Sequence, residues 1–156
     1  MQLRSGKTLP ADIVVSATGL KLQLFGGAGL SLDGVDVNPS TRCVYKGLMC
    51  NDVPNFAMSI GYTNASWTLK ADLTSEYICR LLRYMERRGH SHGTPRTTNA
   101  DAERSPLLDF QADYVLRSAS LLPFQGTSPP WRLYQNYLCD LLSLRFGRLT
   151  ESMEFG

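Results

Sequence analysis

The segment that decides the fold class is DIVVSATG, residues 12–19, in which three β-branched residues stand in a row and small residues follow. Consecutive β-branched residues are typical of a strand buried on both faces, as in parallel sheets that are covered by helices. Small residues at the end of such a strand allow another group to approach the backbone closely. The segment therefore predicts an α/β protein.

The residues before this strand, MQLRSGKTLP, favour the second half of a hairpin arm followed by a turn at Ser5-Gly6. The first strand of that hairpin has barely begun at Met1, so little room remains for its partners. We therefore expect the chain to start inside a sheet, as a truncated protein would.

Two further β elements are expected beyond the glycine cluster GGAG at residues 26–29, which we interpret as a flexible connection. Residues 30–37, LSLDGVDV, predict a hairpin with Asp33-Gly34 as its turn. Residues 55–61, NFAMSIG, predict a short buried strand that the chain enters through Pro54.

Three helices are expected in the rest of the chain. The first starts between Ser66 and Ala71, runs to about Arg88 and stops at Gly89. Its apolar periodicity predicts an inward face and an outward face. The inward face comprises Ala71, Thr74, Ile78, Leu81, Leu82 and Met85, and the outward face carries Arg80, Arg83 and Arg87.

The region after the first helix begins with residues 89–105, whose Gly, Ser, Thr, Asn and Pro content favours a polar surface linker. Two shorter helices follow, over residues 109–122 and over residues 131–146, the latter behind Pro129-Pro130. We expect a stripe to pack the last helix against the body of the protein. Its members are Trp131, Tyr134, Tyr137 and Leu138.

Composition excludes several classes of function. The net charge is only +2, and a chain with so little excess positive charge lacks the basic face that nucleic acid binding requires. No apolar run approaches the ~20 residues of a membrane span, and no signal peptide is visible. The cysteines form no C-x-x-C pair, so we expect reduced thiols, mostly in the core, and a cytoplasmic protein. They are Cys43, Cys50, Cys79 and Cys139.

Two segments resemble a known family. Residues 9–19, LPADIVVSATG, resemble the strand ending in Ala-Thr-Gly of flavoproteins with two dinucleotide-binding domains. Residues 53–73, VPNFAMSIGYTNASWTLKADL, are similar to the C-terminal FAD-domain segment of class B flavin-dependent (Baeyer–Villiger type) monooxygenases. The likeness is greatest to the subgroup that includes the mycobacterial ethionamide-activating enzyme, which YKGLM at residues 45–49 and PWRLYQNY at residues 130–137 also resemble.

The resemblance implies an α/β fold, here the C-terminal fragment of a flavoprotein with two dinucleotide-binding domains, in which strands and hairpins precede three helices. It divides the chain into four parts. Residues 1–19 would end the NADP domain and return to the FAD domain, and residues 20–88 would be the C-terminal part of the FAD-binding domain. Residues 89–105 would form the linker, and residues 106–156 a helical extension.

The resemblance also implies chemistry. The family reduces FAD with NADPH and inserts one oxygen atom from O2 into ketones or onto sulfur or nitrogen centres of small molecules. The loop and helix start in this region would face the flavin, where backbone N–H groups and the helix dipole suit the negative charge of a reduced ring. The cofactor-binding residues so implied are Thr18, Gly19, Gly61, Asn64, Trp67, Thr68, Lys70 and Ala71.

Departures from the family pattern limit this interpretation. The G-x-G-x-x-G motifs for FAD and NADPH and the F-x-G-x-x-x-H-x-x-x-[WF] signature are missing, and residues 26–29 lack both the spacing and the context of a phosphate loop. We therefore assign no catalytic residue and expect the chain to be inactive alone, with the missing N-terminal domains as possible partners. The alternative is a non-catalytic remnant or interaction module without flavin, and a weaker one is a fragment of a disulfide reductase or NADH oxidase.

Several patterns have a plain structural explanation as well as a functional one. Ser66 or Thr68 could simply cap the helix, and Trp67 and Tyr62 could pack rather than line the flavin. His90 and His92 have no ligand partner at suitable spacing, so we expect a solvated loop and no metal. The arginines of the first helix favour a solvated face.

Overall fold

The structure is a computed structural model that describes residues 1–19, 22–97, 104–108 and 118–156. Within these ranges it is a small mixed α/β arrangement, with one long helix, one short helix and four two-stranded sheets. The helices are α1 (Trp67–Arg88) and α2 (Tyr137–Leu141). The strands are β1 (Ser31–Leu32), β2 (Val35–Asp36), β3 (Val44–Tyr45), β4 (Met49–Cys50), β5 (Gly93–Pro95), β6 (Ser105–Pro106), β7 (Phe124–Gln125) and β8 (Met153–Phe155).

Helix α1 confirms the sequence prediction in its extent. It ends where Gly89 adopts φ 70°, a left-handed conformation that glycine reaches without steric cost, and the Gly89 N–H bonds carbonyls of the last turn. Arg87 and Arg88 lie in that turn, where positive charge complements the helix dipole. The helix is therefore defined by local signals at its C-terminal end.

The inward face of α1 differs in part from the prediction. Leu81 and Met85 are buried as expected, whereas Leu82 is 58% exposed and Ile78 is only half-buried. Arg80 is not a solvated side chain, because its guanidinium donates to the carbonyl oxygens of Leu144 and, at 3.2 Å, Gly147. The inward face is centred on Leu73, Thr74, Tyr77, Leu81 and Met85. A narrower apolar face suffices because only one side of α1 meets the body of the protein.

Two antiparallel hairpins precede α1. The predicted turn at Asp33-Gly34 is confirmed: both residues have positive φ, and β1 pairs with β2 so that Leu32 faces Val35. Such a two-residue turn suits the twist of the strands it joins. The second hairpin, β3–β4, turns through Lys46-Gly47, also at positive φ, and its strands are fully buried. The turn at Ser5-Gly6 is present as well, within a bridge between Gln2 and Thr8.

The two apolar segments predicted to be buried strands do not form strands. Residues 12–19 are exposed, with Ile13 and Val15 each 83% accessible, because no strand within the described residues pairs with them. Residues 55–61 begin at Asn55 with φ 54° and also lie outside any sheet. The side chains of this segment still alternate between exposed and more buried positions. Met58 is buried, and its N–H donates to the Leu48 carbonyl. The pattern thus records alternation in burial, although no strand within the described residues pairs with this segment in a sheet.

Part of the stretch expected to be a polar surface linker is buried instead. Residues Gly93–Pro95 form β5, which pairs antiparallel with β8 near the end of the chain. The prediction from composition was wrong here because this stretch packs against the C-terminal segment. Met153 and Phe155 lie so close to Gly93 that they would contact a Cβ placed there. The pairing carries the C-terminal segment back to the end of α1.

The division of the chain into four parts stays a prediction.

The helix expected over residues 131–146 starts later. Asn136 is the N-cap of α2, and its side-chain oxygen accepts the N–H groups of Leu138 and Cys139. Gln135 has φ 51°, which is incompatible with a helix that continues through it. A π-helical segment, Leu142–Phe146, follows α2 and ends before Gly147 as predicted. Of the helix expected over residues 109–122, residues 109–117 lie outside the described residues, and Ala119–Leu121 is a 3₁₀ turn.

The core consists of two clusters of buried side chains. The larger joins β3, β4, the inward face of α1, Trp131 and Leu144, and the edge-to-face contact of Tyr45 with Trp131 lies within it. The smaller lies around Val44, Val53, Met58 and Leu107. The predicted stripe on the last helix holds only for Trp131, since Tyr134, Tyr137 and Leu138 are exposed. The C-terminal helical segment packs instead through Asp140 of α2 and Leu144 of the π-helical segment.

Two of the four cysteines are buried and two are exposed. Cys43 and Cys50 are buried free thiols, whereas Cys79 and Cys139 are exposed free thiols, so the expected core placement holds for half of them. Among the described helices, none is long and apolar enough to cross a membrane.

Candidate functional site

The start of α1 is approached by a tight loop. Gly61 is buried directly under Trp67, and a Cβ added at Gly61 would lie 2.7 Å from the Trp67 Cα, closer than side chains pack. Trp67 itself is 64% exposed as the first helical residue. Glycine is therefore required at this point because the loop folds back against the helix that it enters.

The first turn of α1 has no side-chain cap. Ser66 occupies the N-cap position, but its hydroxyl bonds the Thr68 hydroxyl at 2.8 Å rather than a backbone N–H. The first turn also contains no acidic residue. Backbone N–H groups at such an end carry partial positive charge and are available to an anionic group. Ser66 therefore occupies the predicted N-cap position, but its side chain makes no capping hydrogen bond.

Lys70 lies on the inner side of this turn in a buried polar cluster. Its ammonium is 2.7 Å from Asp140 Oδ2, and the Tyr62 hydroxyl donates to the same oxygen, also at 2.7 Å. All three side chains are buried. Burial lowers the pKa of the Lys70 ammonium below its ordinary value, and the hydrogen bond to Asp140 opposes that shift. Burial and the bond to Asp140 both raise the pKa of Tyr62.

Gln135 connects the same loop to the segment before α2. Its side-chain oxygen accepts the Thr63 N–H at 3.0 Å and the Thr63 hydroxyl at 3.3 Å. Its backbone carbonyl accepts the Asn64 side-chain N–H at 3.1 Å. Thr63 and Asn64 are therefore held by a residue far away in the sequence.

The structure brings six of the eight predicted cofactor residues to one place. Gly61, Asn64, Trp67, Thr68, Lys70 and Ala71 all lie in the loop or at the start of α1, with Trp67 and Thr68 facing out and Lys70 facing in. Thr18 and Gly19 lie in the exposed segment near the start of the chain. Their cofactor role, like that of the other six, stays a prediction.

A cavity of about 570 Å³ opens beside this loop. Thr63 and Gln135 form one wall, and the strands β6 and β7 supply Pro106 and Gln125 to another. Its volume falls in the range of small-molecule sites, roughly 300–1,000 Å³.

Other candidate sites have structural roles. The His90 ring stacks on Phe155, with ring centroids 5.0 Å apart, and His92 lies beside the C-terminal Gly156, whose carbonyl accepts the His92 N–H. Within the described ranges, no group of three or more His, Cys, Asp or Glu side chains converges as metal ligands would. The glycine cluster at residues 26–29 overlaps the 3₁₀ turn Leu24–Gly27 and leads into the β1–β2 hairpin, not into a helix. It therefore cannot form a phosphate loop of the dinucleotide-binding kind.

The chain is similar to several known proteins that are named as monooxygenases. It is 50% identical over 151 residues to the FAD-containing monooxygenase EthA of Mycobacterium tuberculosis, and 47% identical to EthA of Mycolicibacterium smegmatis. It is 43% identical over 154 residues to AlmA of Acinetobacter baylyi, which is named a probable FAD-binding monooxygenase. These matches cover 97–98% of this chain and 31% of each relative. No family model matches the chain, and no solved structure does so significantly.

The chain is homologous to part of these FAD-containing monooxygenases. It spans about a third of the length of the curated relatives it matches, and the likeness extends over nearly all of its own length. The resemblance inferred from the sequence is thereby confirmed at the level of an FAD-containing monooxygenase.

The sequence did not predict the contacts of three residues around the start of α1. Tyr62 has only a predicted role beside the flavin or in packing, Gln135 lies within residues 130–137 without an assigned role, and Asp140 has no assigned role. Asp140 did carry a signal, because it is the single carboxylate within the apolar run YLCDLLSL, residues 137–144. A lone acid among apolar residues of a helix is expected to have a buried partner. Nothing in the sequence indicated which cation it would meet.

Proposed function

We propose that this chain forms part of the flavin-binding region of an FAD- and NADPH-dependent monooxygenase of Baeyer–Villiger type. The complete enzyme would insert one oxygen atom from O2 into a ketone, or transfer it to a sulfur or nitrogen centre, of a small-molecule substrate. The observation that carries the proposal is 50% identity over 97% of the chain to an FAD-containing monooxygenase. The part of the chain relevant to the cofactor is the start of α1.

The residues present fit the flavin ring but not the dinucleotide phosphates. At the start of α1, backbone N–H groups lack a side-chain cap and an acidic neighbour, so the negative charge of a reduced flavin is favoured there. Bound FAD would supply the redox chemistry. The chain's contribution is to orient the ring against Trp67 and Thr68 and to offer the helix dipole to its electron-rich edge. The phosphates would need a loop from another part of the polypeptide, since residues 26–29 are not followed by a helix.

Lys70 contributes less charge to this site than its sequence position indicates. Its ammonium is compensated by Asp140 in a buried pair, so the field at the helix start comes mainly from the backbone. The substitution Lys70→Glu would place two carboxylates at this contact. We expect it to destabilise the fold as well as weaken FAD retention.

The test is a hybrid enzyme. Residues of this chain replace the matching third of Mycolicibacterium smegmatis EthA, to which it is 47% identical. We expect a hybrid that retains flavin absorbance after purification and oxidises NADPH. This chain alone, with or without added FAD, is expected to oxidise no NADPH above a heat-killed control, because it presents no phosphate loop among the described residues.

A folded hybrid without flavin would contradict the proposal and favour the alternative, a non-catalytic module. Folding of the hybrid is checked independently by circular dichroism. Steady NADPH oxidation by this chain alone would also contradict the proposal that the phosphates need a loop from another part of the polypeptide.

A further inference from the structure

Asp140 lies within α2 and Gln135 lies just before it. Both residues contact the loop that leads into α1, and Asp140 also contacts the first turn of α1. Asp140 meets Tyr62 and Lys70, and Gln135 meets Thr63 and Asn64. Tyr62 and Asp140 are 78 residues apart in the sequence. Every residue from 62 to 64, together with Lys70, is thus held by residues 135–140.

The buried cluster is costly as a source of stability alone. Removing a carboxylate and an ammonium from water costs several kcal/mol for each ion, and apolar side chains of similar volume often stabilise a core as well or better. The cluster does supply a directional constraint, because Asp140 Oδ2 receives both Tyr62 and Lys70 at 2.7 Å. The two contacts tie the loop before α1 and the first turn of α1 to the same carboxylate oxygen on α2.

Gln135 adds a second constraint, and its backbone is shaped for it. At φ 51° it lies in the left-handed region, which is unfavourable for a residue with a Cβ. In this conformation the side chain accepts from Thr63 while the carbonyl accepts from Asn64. The structure therefore places local strain at the residue that holds the loop.

These contacts lie on the inner side of the helix start and leave its outer side open. Lys70 is buried and engaged, whereas Trp67 and Thr68 are exposed. We propose that Asp140 is a positioning residue, which with Gln135 fixes the loop 61–66 and the first turn of α1 in the orientation that meets the flavin. The inference rests on the proposed function for its cofactor part, and on contacts alone for its structural part.

The structural part is tested in this chain by amide hydrogen exchange of Asp140→Asn, with Glu76→Gln as the matched control. Glu76 pairs with Arg145 at 2.7 Å and so also joins α1 to the C-terminal helical segment, but on the exposed surface and away from the helix start. Asp140→Asn is expected to speed exchange in residues 61–70 by about tenfold or more and to leave residues 78–88 unchanged. Glu76→Gln is expected to change neither.

Gln135→Ala gives a second, milder test, since it removes one constraint without leaving a buried charge. It is expected to speed exchange at residues 63–66 alone. The double variant Lys70→Met with Asp140→Asn should recover part of the protection lost in Asp140→Asn, because no unpaired charge remains. Wild-type exchange in Asp140→Asn, or equal acceleration along the whole chain, would overturn the positioning role.

The cofactor part is tested in the hybrid enzyme by the FAD dissociation constant and the flavin midpoint potential. Asp140→Asn is expected to raise the dissociation constant about tenfold and to shift the potential, with Glu76→Gln matching the parent hybrid. A hybrid that folds but binds no FAD would refute the proposed function while leaving the exchange result intact. Unchanged affinity and potential in Asp140→Asn would refute the positioning role while leaving the proposed function intact.

Discussion

Leu81 and Leu82 are adjacent on α1 and provide a matched pair for testing which face of the helix supports the fold. Leu81 is 5% exposed within the larger core cluster, together with Tyr77, Met85 and Leu144. Leu82 is 58% exposed. The two share helix, chemistry and distance from the ends, so the substitutions Leu81→Ala and Leu82→Ala differ mainly in burial.

The expected magnitude follows from what each substitution removes. Leucine to alanine deletes three carbon atoms, and about 0.8 kcal/mol is lost for each buried methylene-sized group. This transfer contribution is therefore about 2.4 kcal/mol for Leu81, and a cavity would bring the total to roughly 2–5 kcal/mol. For Leu82 the change in the free energy of unfolding should stay within about 0.5 kcal/mol, as at most exposed positions.

The assay is equilibrium unfolding in urea, followed by far-ultraviolet circular dichroism. Leu81→Ala should lower the denaturation midpoint with little change in the slope of the free energy against urea, because the surface exposed on unfolding is nearly the same. Equal losses for the two variants, or a larger loss for Leu82→Ala, would show that the face assignment is wrong.

Three further predictions concern the loop, the surface and the thiols. Gly61→Ala should displace Trp67 and change tryptophan fluorescence, whereas Gly29→Ala, where an added Cβ meets open space, should not; identical spectra would refute the close packing. The hydrogen bond from Arg145 lowers the pKa of Glu76, so this exposed contact adds a small stabilisation above the ordinary glutamate pKa, and that stabilisation is lost as pH falls through the lowered value. NMR titration should show the pKa of Glu76 rising in Arg145→Gln. A thiol reagent at neutral pH should label Cys79 and Cys139 in the folded chain, and the two buried cysteines, whose pKa burial raises to about 11, only after unfolding.

The features that the sequence predicted correctly depend on short stretches of chain. The end of α1 follows from Gly89, and the β1–β2 turn follows from Asp33-Gly34, because each conformation is decided by the φ preference of one or two residues. The likeness to FAD-containing monooxygenases was also visible in contiguous segments, such as residues 53–73.

The tertiary structure decided whatever required a partner from elsewhere in the chain. The run at residues 12–19 has strand composition, but a strand forms only where another strand pairs with it, and none within the described residues does so. The strand Gly93–Pro95 forms in a polar stretch because β8 pairs with it. Lys70 has the composition of a surface residue near a helix start, yet it is buried because Asp140 meets it there. Periodicity and composition report the preference of a residue for burial or for solvent, whereas the identity of its partner depends on the packing of distant segments.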